Sequence, residues 1–231
     1  MLKARRKITH KEIKKDKLVT SYFQVRTWFD KPENRKRVGM AAGIVVILVI
    51  AVFLYISNRK TKNEEAETKL SMVITLYQQG KYQEAINGDP AAGIVGLNEI
   101  VSNYGSTNSG QTAKFFLGNC FYNIKDYDNA LKNFDDYSGN NDLIKASCIS
   151  GIGAVYEAKG DLKKAAEYYE KSVTVNNELL INQDNLFNAI RVYSQIGDKE
   201  SANKLYKQLK KEYPKSKFVT EAKKFESQFK N

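Results

Sequence analysis

The feature that most constrains this chain is an apolar stretch from Val38 to Ser57, VGMAAGIVVILVIAVFLYIS. It has twenty residues and no charged side chain. At roughly 1.5 Å per residue, a helix of this length crosses a hydrocarbon layer about 30 Å thick. A cleaved signal peptide would end in a small-residue site, whereas Asn58-Arg59-Lys60 follows here, and a core helix would carry a charged face. The stretch therefore predicts a transmembrane helix at residues 38–57.

Basic side chains concentrate before this stretch. Residues 1–37 hold 13 Lys and Arg against 4 Asp and Glu, a net charge of +9. The whole chain has 37 and 26, so residues 38–231 hold 24 and 22. This bias predicts a cytoplasmic tail at residues 1–37 and a domain at residues 58–231 on the other side of the membrane. The basic charge is explained by the orientation of the protein in the membrane and by attraction to anionic lipid. We therefore expect no nucleic-acid partner.

The tail contains a candidate amphipathic helix. One helical face carries Leu18, Tyr22, Val25 and Phe29. Trp28 lies close to the membrane boundary, and Pro32 is expected to break the helix before the anchor. Two interpretations stay open: a basic helix in the lipid headgroup layer, or a docking helix for a membrane partner.

The anchor is expected to continue into the domain that follows. No glycine or proline occurs between Ile44 and Gln79, so one helix can run through both. An apolar face then resumes at Leu70, Val73, Ile74 and Tyr77.

The domain contains an internal repeat. One unit is AKFFLGNCFYNIKDYDNALKNFDDY, residues 113–137, and the next is CISGIGAVYEAKGDLKKAAEYYEKS, residues 148–172. Gly118 and Gly153 lie 35 residues apart, and a third unit ends at Pro214. Such a period is typical of stacked supersecondary units.

This pattern resembles the tetratricopeptide repeat, a helical hairpin of about 34 residues with W-x2-L-G-x2-Y, then A-x3-F, then P. The matching motifs are Leu117-Gly118-x2-Phe121, Ile152-Gly153-x2-Tyr156, Ala130-x3-Phe134, Ala165-x3-Tyr169 and Ala202-x3-Tyr206. We expect the small residues to let two helices approach closely and the aromatic residues to fill the gap between hairpins. Asp126, Asp161 and Asp198 stand at the expected tight turns. The predicted fold class is all-α: one transmembrane helix followed by a tetratricopeptide-repeat solenoid.

The first and last units depart from the regular pattern. Asn87-Gly88-Asp89-Pro90 breaks the second helix of the first unit, which is expected to resume at Gly96. We interpret residues 86–95 as an insertion, either a binding loop or a neutral one. After Pro214, Ser216 is predicted to cap a last helix that closes the solenoid.

The sequence offers little catalytic chemistry. The domain has no histidine, which removes the usual general base and the commonest zinc ligand. We therefore expect no enzyme activity, no catalytic residue, no metal site, no cofactor and no small-molecule substrate. Cys120 and Cys148 are predicted to be buried thiols, too far apart for a disulfide.

The resemblance implies a groove, lined by the first helices, that binds extended or helical peptide. The equivalent positions, which we call the groove residues, are Phe115, Asn119, Tyr122, Asn123, Glu157, Phe187 and Arg191. Cochaperone repeats that clamp a C-terminal carboxylate carry Lys where Phe115 stands, so that ligand is not expected.

The layout from Leu18 onward resembles the YfgM-type ancillary subunits of the bacterial SecYEG translocon, with Val25-x2-Trp28 and Asn119-x-Phe121-Tyr122 as matching motifs. This resemblance implies a single-pass inner-membrane protein with periplasmic repeats. Its implied partners are the translocon, periplasmic chaperones or client chains, besides membrane lipid. Lys211-Glu212-Tyr213-Pro214-Lys215-Ser216 is instead similar to turns of outer-membrane assembly repeat proteins. The alternative function is a structural scaffold of a cell-envelope assembly machine.

Overall fold

The structure, a computed structural model, describes residues 17–229 of the 231-residue chain. Residues 1–16 of the predicted basic tail lie outside the described residues. The chain divides into two units, residues 1–58 and residues 59–231.

The predicted anchor lies within the second helix of the chain. Helix α1 comprises Lys17–Phe29, and α2 runs without a break through Pro32–Gln78. Pro32 therefore begins α2 rather than merely ending α1, because the first helical position needs no N–H donor. Among the described residues, α2 is the helix long and apolar enough to be a candidate membrane span. Its continuity confirms the expectation drawn from the absence of glycine and proline.

The rest of the chain is a series of short helices and one small hairpin. They are α3 (Tyr82–Asn87), β1 (Gly88–Asp89), β2 (Ile94–Val95), α4 (Leu97–Tyr104), α5 (Asn108–Asn123), α6 (Tyr127–Asp135), α7 (Asp142–Ala158), α8 (Leu162–Val173), α9 (Asn182–Gln195), α10 (Lys199–Glu212), α11 (Lys217–Ala222), a 3-10 turn (Lys223–Phe225) and α12 (Glu226–Phe229). The pairs α5–α6, α7–α8 and α9–α10 are consecutive helical hairpins, which confirms the predicted all-α repeat architecture.

Each of these hairpins turns in the same way. The residue that precedes the capping Asp has a left-handed backbone: Lys125 at φ 65°, Gly160 at φ 82° and Gly197 at φ 79°. The next side chain accepts a hydrogen bond from the backbone N–H three residues ahead and so caps the second helix. These caps are Asp126, Asp161 and Asp198. The aspartates predicted at the turns thus also begin the second helices.

Glycine and aromatic side chains set the spacing between helices. A Cβ on Gly118 would lie 2.7 Å from the Phe134 ring in the same hairpin, and one on Gly151 would lie 2.7 Å from that ring in the next. In the second hairpin, Gly153 lies against Tyr169. Ala130, Ala165 and Ala202 are completely buried. The predicted roles of the small and aromatic residues are confirmed.

The insertion in the first unit is a two-stranded antiparallel hairpin between α3 and α4. Gly88 pairs with Val95, and Asp89 pairs with Ile94. The Asp89 carboxylate accepts hydrogen bonds from the N–H groups of Ala91 and Ala92, which closes the turn. A Cβ on Gly96 would lie 2.4 Å from the Asn87 backbone, so glycine is needed where the chain re-enters the helix.

Three clusters of buried apolar side chains lie between the helices of residues 59–231. One joins α2, α3, α4 and α5, the second joins α6 to α7, and the last joins α8 to α9 and α10. The last cluster is closed by α11, whose Ala222 is fully buried. The Ser216 side chain caps α11 by accepting a hydrogen bond from the Phe218 N–H at 3.2 Å. A closing helix is therefore present as predicted, but it ends at Ala222, and the 3-10 turn at Lys223–Phe225 separates it from α12.

Candidate functional site

The groove residues lie on the first helices of the three hairpins. Four of them belong to α5, Glu157 lies near the end of α7, and Phe187 and Arg191 lie on α9. Their surroundings differ from helix to helix.

The aromatic groove residues of α5 are half-buried. The Phe115 ring centroid lies 5.3 Å from that of Phe116 and 6.4 Å from that of Phe134. Tyr122 lies 6.0 Å from Tyr127 across the hairpin turn. Both rings pack against the cluster that joins α6 to α7, and each remains partly accessible.

The amide groove residues form a ladder along α5. Asn119 Nδ2 donates to the Phe115 carbonyl at 3.0 Å, and Asn123 Nδ2 donates to the Asn119 carbonyl at 2.8 Å. A side-chain amide has two N–H donors and one oxygen acceptor. In the bonds that the structure describes, each amide uses one donor.

The two charged groove residues bind each other. Arg191 Nη1 and Nη2 donate to the two Glu157 carboxylate oxygens at 2.7 and 2.9 Å. The Tyr169 hydroxyl of α8 donates to the same carboxylate at 2.9 Å. The hydrogen bond from Arg191 lowers the pKa of Glu157, and the same bond raises the pKa of Arg191. The pair links α7 of one hairpin to α9 of the next.

Phe187 lies at the end of the solenoid. Its ring stacks on Phe218 of α11 at 5.2 Å and lies 6.4 Å from Phe225. The closing helix thus packs against this groove residue, while Phe115 and Tyr122 have no such cover from α11.

Polar contacts that sequence reasoning missed also lie between α7 and α9. The Ser150 hydroxyl donates to Asn185 Oδ1 at 2.8 Å, and Asn185 is 1% exposed. The two residues are separated by 35 positions, one repeat period, just as 34 positions separate Glu157 from Arg191. Pairing polar residues at this separation would have found both contacts.

The two thiols are buried, and the described part of the chain shows no group of side chains that could hold a metal ion. Cys120 and Cys148 are free and buried, as predicted, and burial raises the pKa of each to about 12. Thiols with such a pKa are unreactive at neutral pH. Within residues 17–229, no group of three or more His, Cys, Asp or Glu side chains could hold a metal ion.

A cleft lies where the second helices α6 and α8 meet the first helix α7. Leu131, Ile152, Tyr156 and Tyr168 contribute to this cleft of about 310 Å³. The rings of Tyr156 and Tyr168 stack at 5.4 Å. None of the groove residues lines this cleft.

Known proteins share these repeats. The tetratricopeptide repeat family model matches residues 147–179 and residues 184–216. A solved structure of nearly identical TPR-like repeats, described as kinesin light chain from Podosopora anserina, has a TM-score of 0.53 and 14% identity; the match covers 72% of this chain and 88% of that chain. A second structure of these repeats has a TM-score of 0.51 and 14% identity, covering 72% and 94%. At this identity, the likeness shows the fold alone.

The repeat motifs, the family matches and the solved structures agree. This chain contains tetratricopeptide repeats within an all-α TPR-like solenoid, and such repeats indicate a protein-interaction module.

Proposed function

We propose that this protein is a membrane-anchored polypeptide-binding subunit, ancillary to the secretory translocon and the periplasmic chaperones of a bacterial inner membrane. In this role, α2 anchors the protein, and the groove residues hold segments of client or partner chains. The proposal rests on the groove residues of the first helices. They include partly buried aromatic rings and side-chain amides, and their two charged members, Glu157 and Arg191, neutralise each other.

The charge of the groove argues for an uncharged ligand segment. A ligand carboxylate at Arg191 would compete with Glu157, and a ligand amine at Glu157 would compete with Arg191. Bidentate charge-assisted bonds of 2.7 and 2.9 Å are difficult to displace. Segments without clustered charge face no such competition.

The remaining groove residues suit an unfolded or helical polypeptide. The accessible sides of Phe115 and Tyr122 supply apolar area, which favours apolar ligand side chains. Asn119 and Asn123 each have an oxygen acceptor and a second N–H donor, and these match the N–H and C=O groups of a peptide backbone. Contacts of this kind bind a polypeptide weakly, so that the polypeptide can be released and passed on to a chaperone.

The topology in this proposal follows from charge. The tail before the anchor has a net charge of +9, whereas residues 38–231 have a net charge of +2. The positive-inside bias then orients the N-terminus to the cytoplasm and the repeats to the periplasm.

A paired substitution tests the groove. We expect Phe115→Ala with Tyr122→Ala in the full chain to lose soluble polypeptide partners after cross-linking and detergent solubilisation of membranes. The membrane-embedded partner should remain, because α2 is unchanged. Tyr168→Ala, on the second helix α8 and outside the groove residues, is the matched control and should keep all partners.

Circular dichroism of each variant should show unchanged helix content, so that the loss of a partner cannot be attributed to unfolding of the repeats. Full retention of soluble partners by the paired variant would contradict the proposal. Recovery of barrel-assembly or cell-wall proteins, in place of secretion components, would favour the scaffold alternative.

A further inference from the structure

The junction of α1 and α2 is held by side chains of α2. Asn34 Nδ2 donates to the Trp28 carbonyl at 2.7 Å, and Arg35 Nε donates to the Phe29 carbonyl at 3.1 Å. An Arg35 guanidinium nitrogen also contacts the Asp30 carboxylate at 3.1 Å. Asn34 is only 7% exposed. We call residues 28–35 the elbow, because these bonds fix the direction in which α1 leaves α2.

The elbow satisfies backbone groups that would otherwise require water. The last four carbonyls of a helix have no partner within the helix. Here two of them, at Trp28 and Phe29, accept bonds from Asn34 and Arg35. The Arg35 charge also complements the negative end of the α1 dipole. A helix end of this kind tolerates a poorly hydrated place, such as the boundary of a bilayer.

The face of α1 is apolar, aromatic and uncovered. Tyr22 and Val25 are 60% and 64% exposed, and the Trp28 and Phe29 rings are also exposed. Thr27 lies on the opposite face of the helix, where its hydroxyl donates to the Phe23 carbonyl. Tryptophan and tyrosine prefer the headgroup level of a membrane, where their rings and polar groups are both satisfied.

We propose that α1 is an interfacial helix that binds the lipid headgroup layer of the membrane that α2 enters, and that the elbow sets its angle. Continuity identifies lipid as the occupant: only Asp30 and Lys31 separate α1 from α2, and Arg35 lies three residues before the apolar stretch. Charge agrees, since Arg35, Lys36 and Arg37 attract anionic headgroups at this boundary.

The chain contains one tryptophan, Trp28, so tryptophan emission, excited at a wavelength that its 14 tyrosines do not absorb, reports this helix alone in the intact protein. We expect the full chain, reconstituted without other proteins into vesicles of phosphatidylcholine and phosphatidylglycerol, to show blue-shifted emission and severalfold weaker quenching by acrylamide than free tryptophan. Quenchers attached near the lipid headgroup should act more strongly than quenchers at the chain ends.

Free access of acrylamide to Trp28 in these vesicles would overturn the proposal. Protection that arises only after a translocon or another membrane protein is added would do the same, because it would identify α1 as a protein-docking helix. Replacing phosphatidylglycerol with phosphatidylcholine should weaken the protection, because the basic residues then lose their anionic partners.

The role of the elbow is tested by a charge-matched pair of variants. Arg35→Gln removes the bonds to Phe29 and Asp30, whereas Lys36→Gln makes the same charge change one residue away. Both of these variants lose one basic charge, so they weaken the attraction to headgroups equally. We expect only Arg35→Gln, and likewise Asn34→Ala, to give quenching of Trp28 by both shallow and deep quenchers. Equal quenching profiles for Arg35→Gln and Lys36→Gln would show that the elbow does not set the angle.

Discussion

The Phe134 ring sets the distance between neighbouring helices, because it lies against a glycine on each of two of them. Its ring touches Gly118 of its own hairpin and Gly151 of the next, and a methyl group at either glycine would approach to 2.7 Å. Glycine within a helix normally destabilises by about 0.5–1 kcal/mol relative to alanine. At these two positions the close approach of the ring reverses that preference.

We therefore expect Gly118→Ala to lower the free energy of unfolding by roughly 1–3 kcal/mol, the usual effect of overpacking. Thermal unfolding of the full chain in detergent, followed by circular dichroism, measures this. Adding Phe134→Leu should recover part of the loss, because the smaller side chain leaves room for the methyl group. A gain in stability from Gly118→Ala, as at an ordinary helical site, would show that the contact does not constrain the helices.

At this scale, sequence spacing predicts positions better than it predicts partners. The repeat period places Glu157 and Arg191 on adjacent first helices, but their bidentate pairing also depends on rotamers and on the Tyr169 hydroxyl. Likewise, the period places Phe187 on the groove face, whereas its stacking on Phe218 depends on how the closing helix packs. Such contacts depend on tertiary geometry, which local spacing does not specify.

At the scale of helices and strands, the sequence predicts the ends of helices best, because nearby residues determine where a helix begins and ends. Short polar residues at Asp126, Asp161 and Asp198 cap helices through their own side chains, and an absence of glycine and proline allows α2 to continue. Where β1 and β2 form a hairpin, the sequence predicts only an insertion. Strands of two residues are too short to show alternating hydrophobicity.

The ion pair between α7 and α9 makes the stability of the repeats depend on pH. Because Arg191 lowers the pKa of Glu157 below the ordinary 4.5, the unfolded chain takes up the proton at a higher pH than the folded chain does. The stabilisation is complete above pH 4.5 and is lost as the pH falls through the lowered value. Acid therefore weakens the contact between these two hairpins.

We expect Glu157→Gln to cost about 1 kcal/mol at neutral pH, the upper range for a partly exposed pair. The difference in melting temperature between this variant and the natural chain should shrink as the pH falls below 4.5. Glu200→Gln, at an exposed position of α10, is the control and should follow the natural chain throughout. A difference that stays constant down to acidic pH would mean that the ion pair does not contribute.

For the whole molecule, the distribution of charge carries the topological proposal. Most of the net charge of +11 lies before the candidate membrane span. We expect protease added to spheroplasts to digest the repeats and to spare an epitope placed at the N-terminus. Digestion of the repeats only after lysis would contradict this orientation.

The function of the whole molecule depends on what occupies the groove. A photoreactive phenylalanine derivative at Asn119, on the first-helix face of α5, tests this occupant in living cells. The matched control carries the same group at Lys163, which is exposed on the second helix α8. We predict that the group at Asn119 cross-links to secreted polypeptides or periplasmic chaperones and that the group at Lys163 does not. Equal cross-linking from both positions, or cross-links from Lys163 alone, would contradict it.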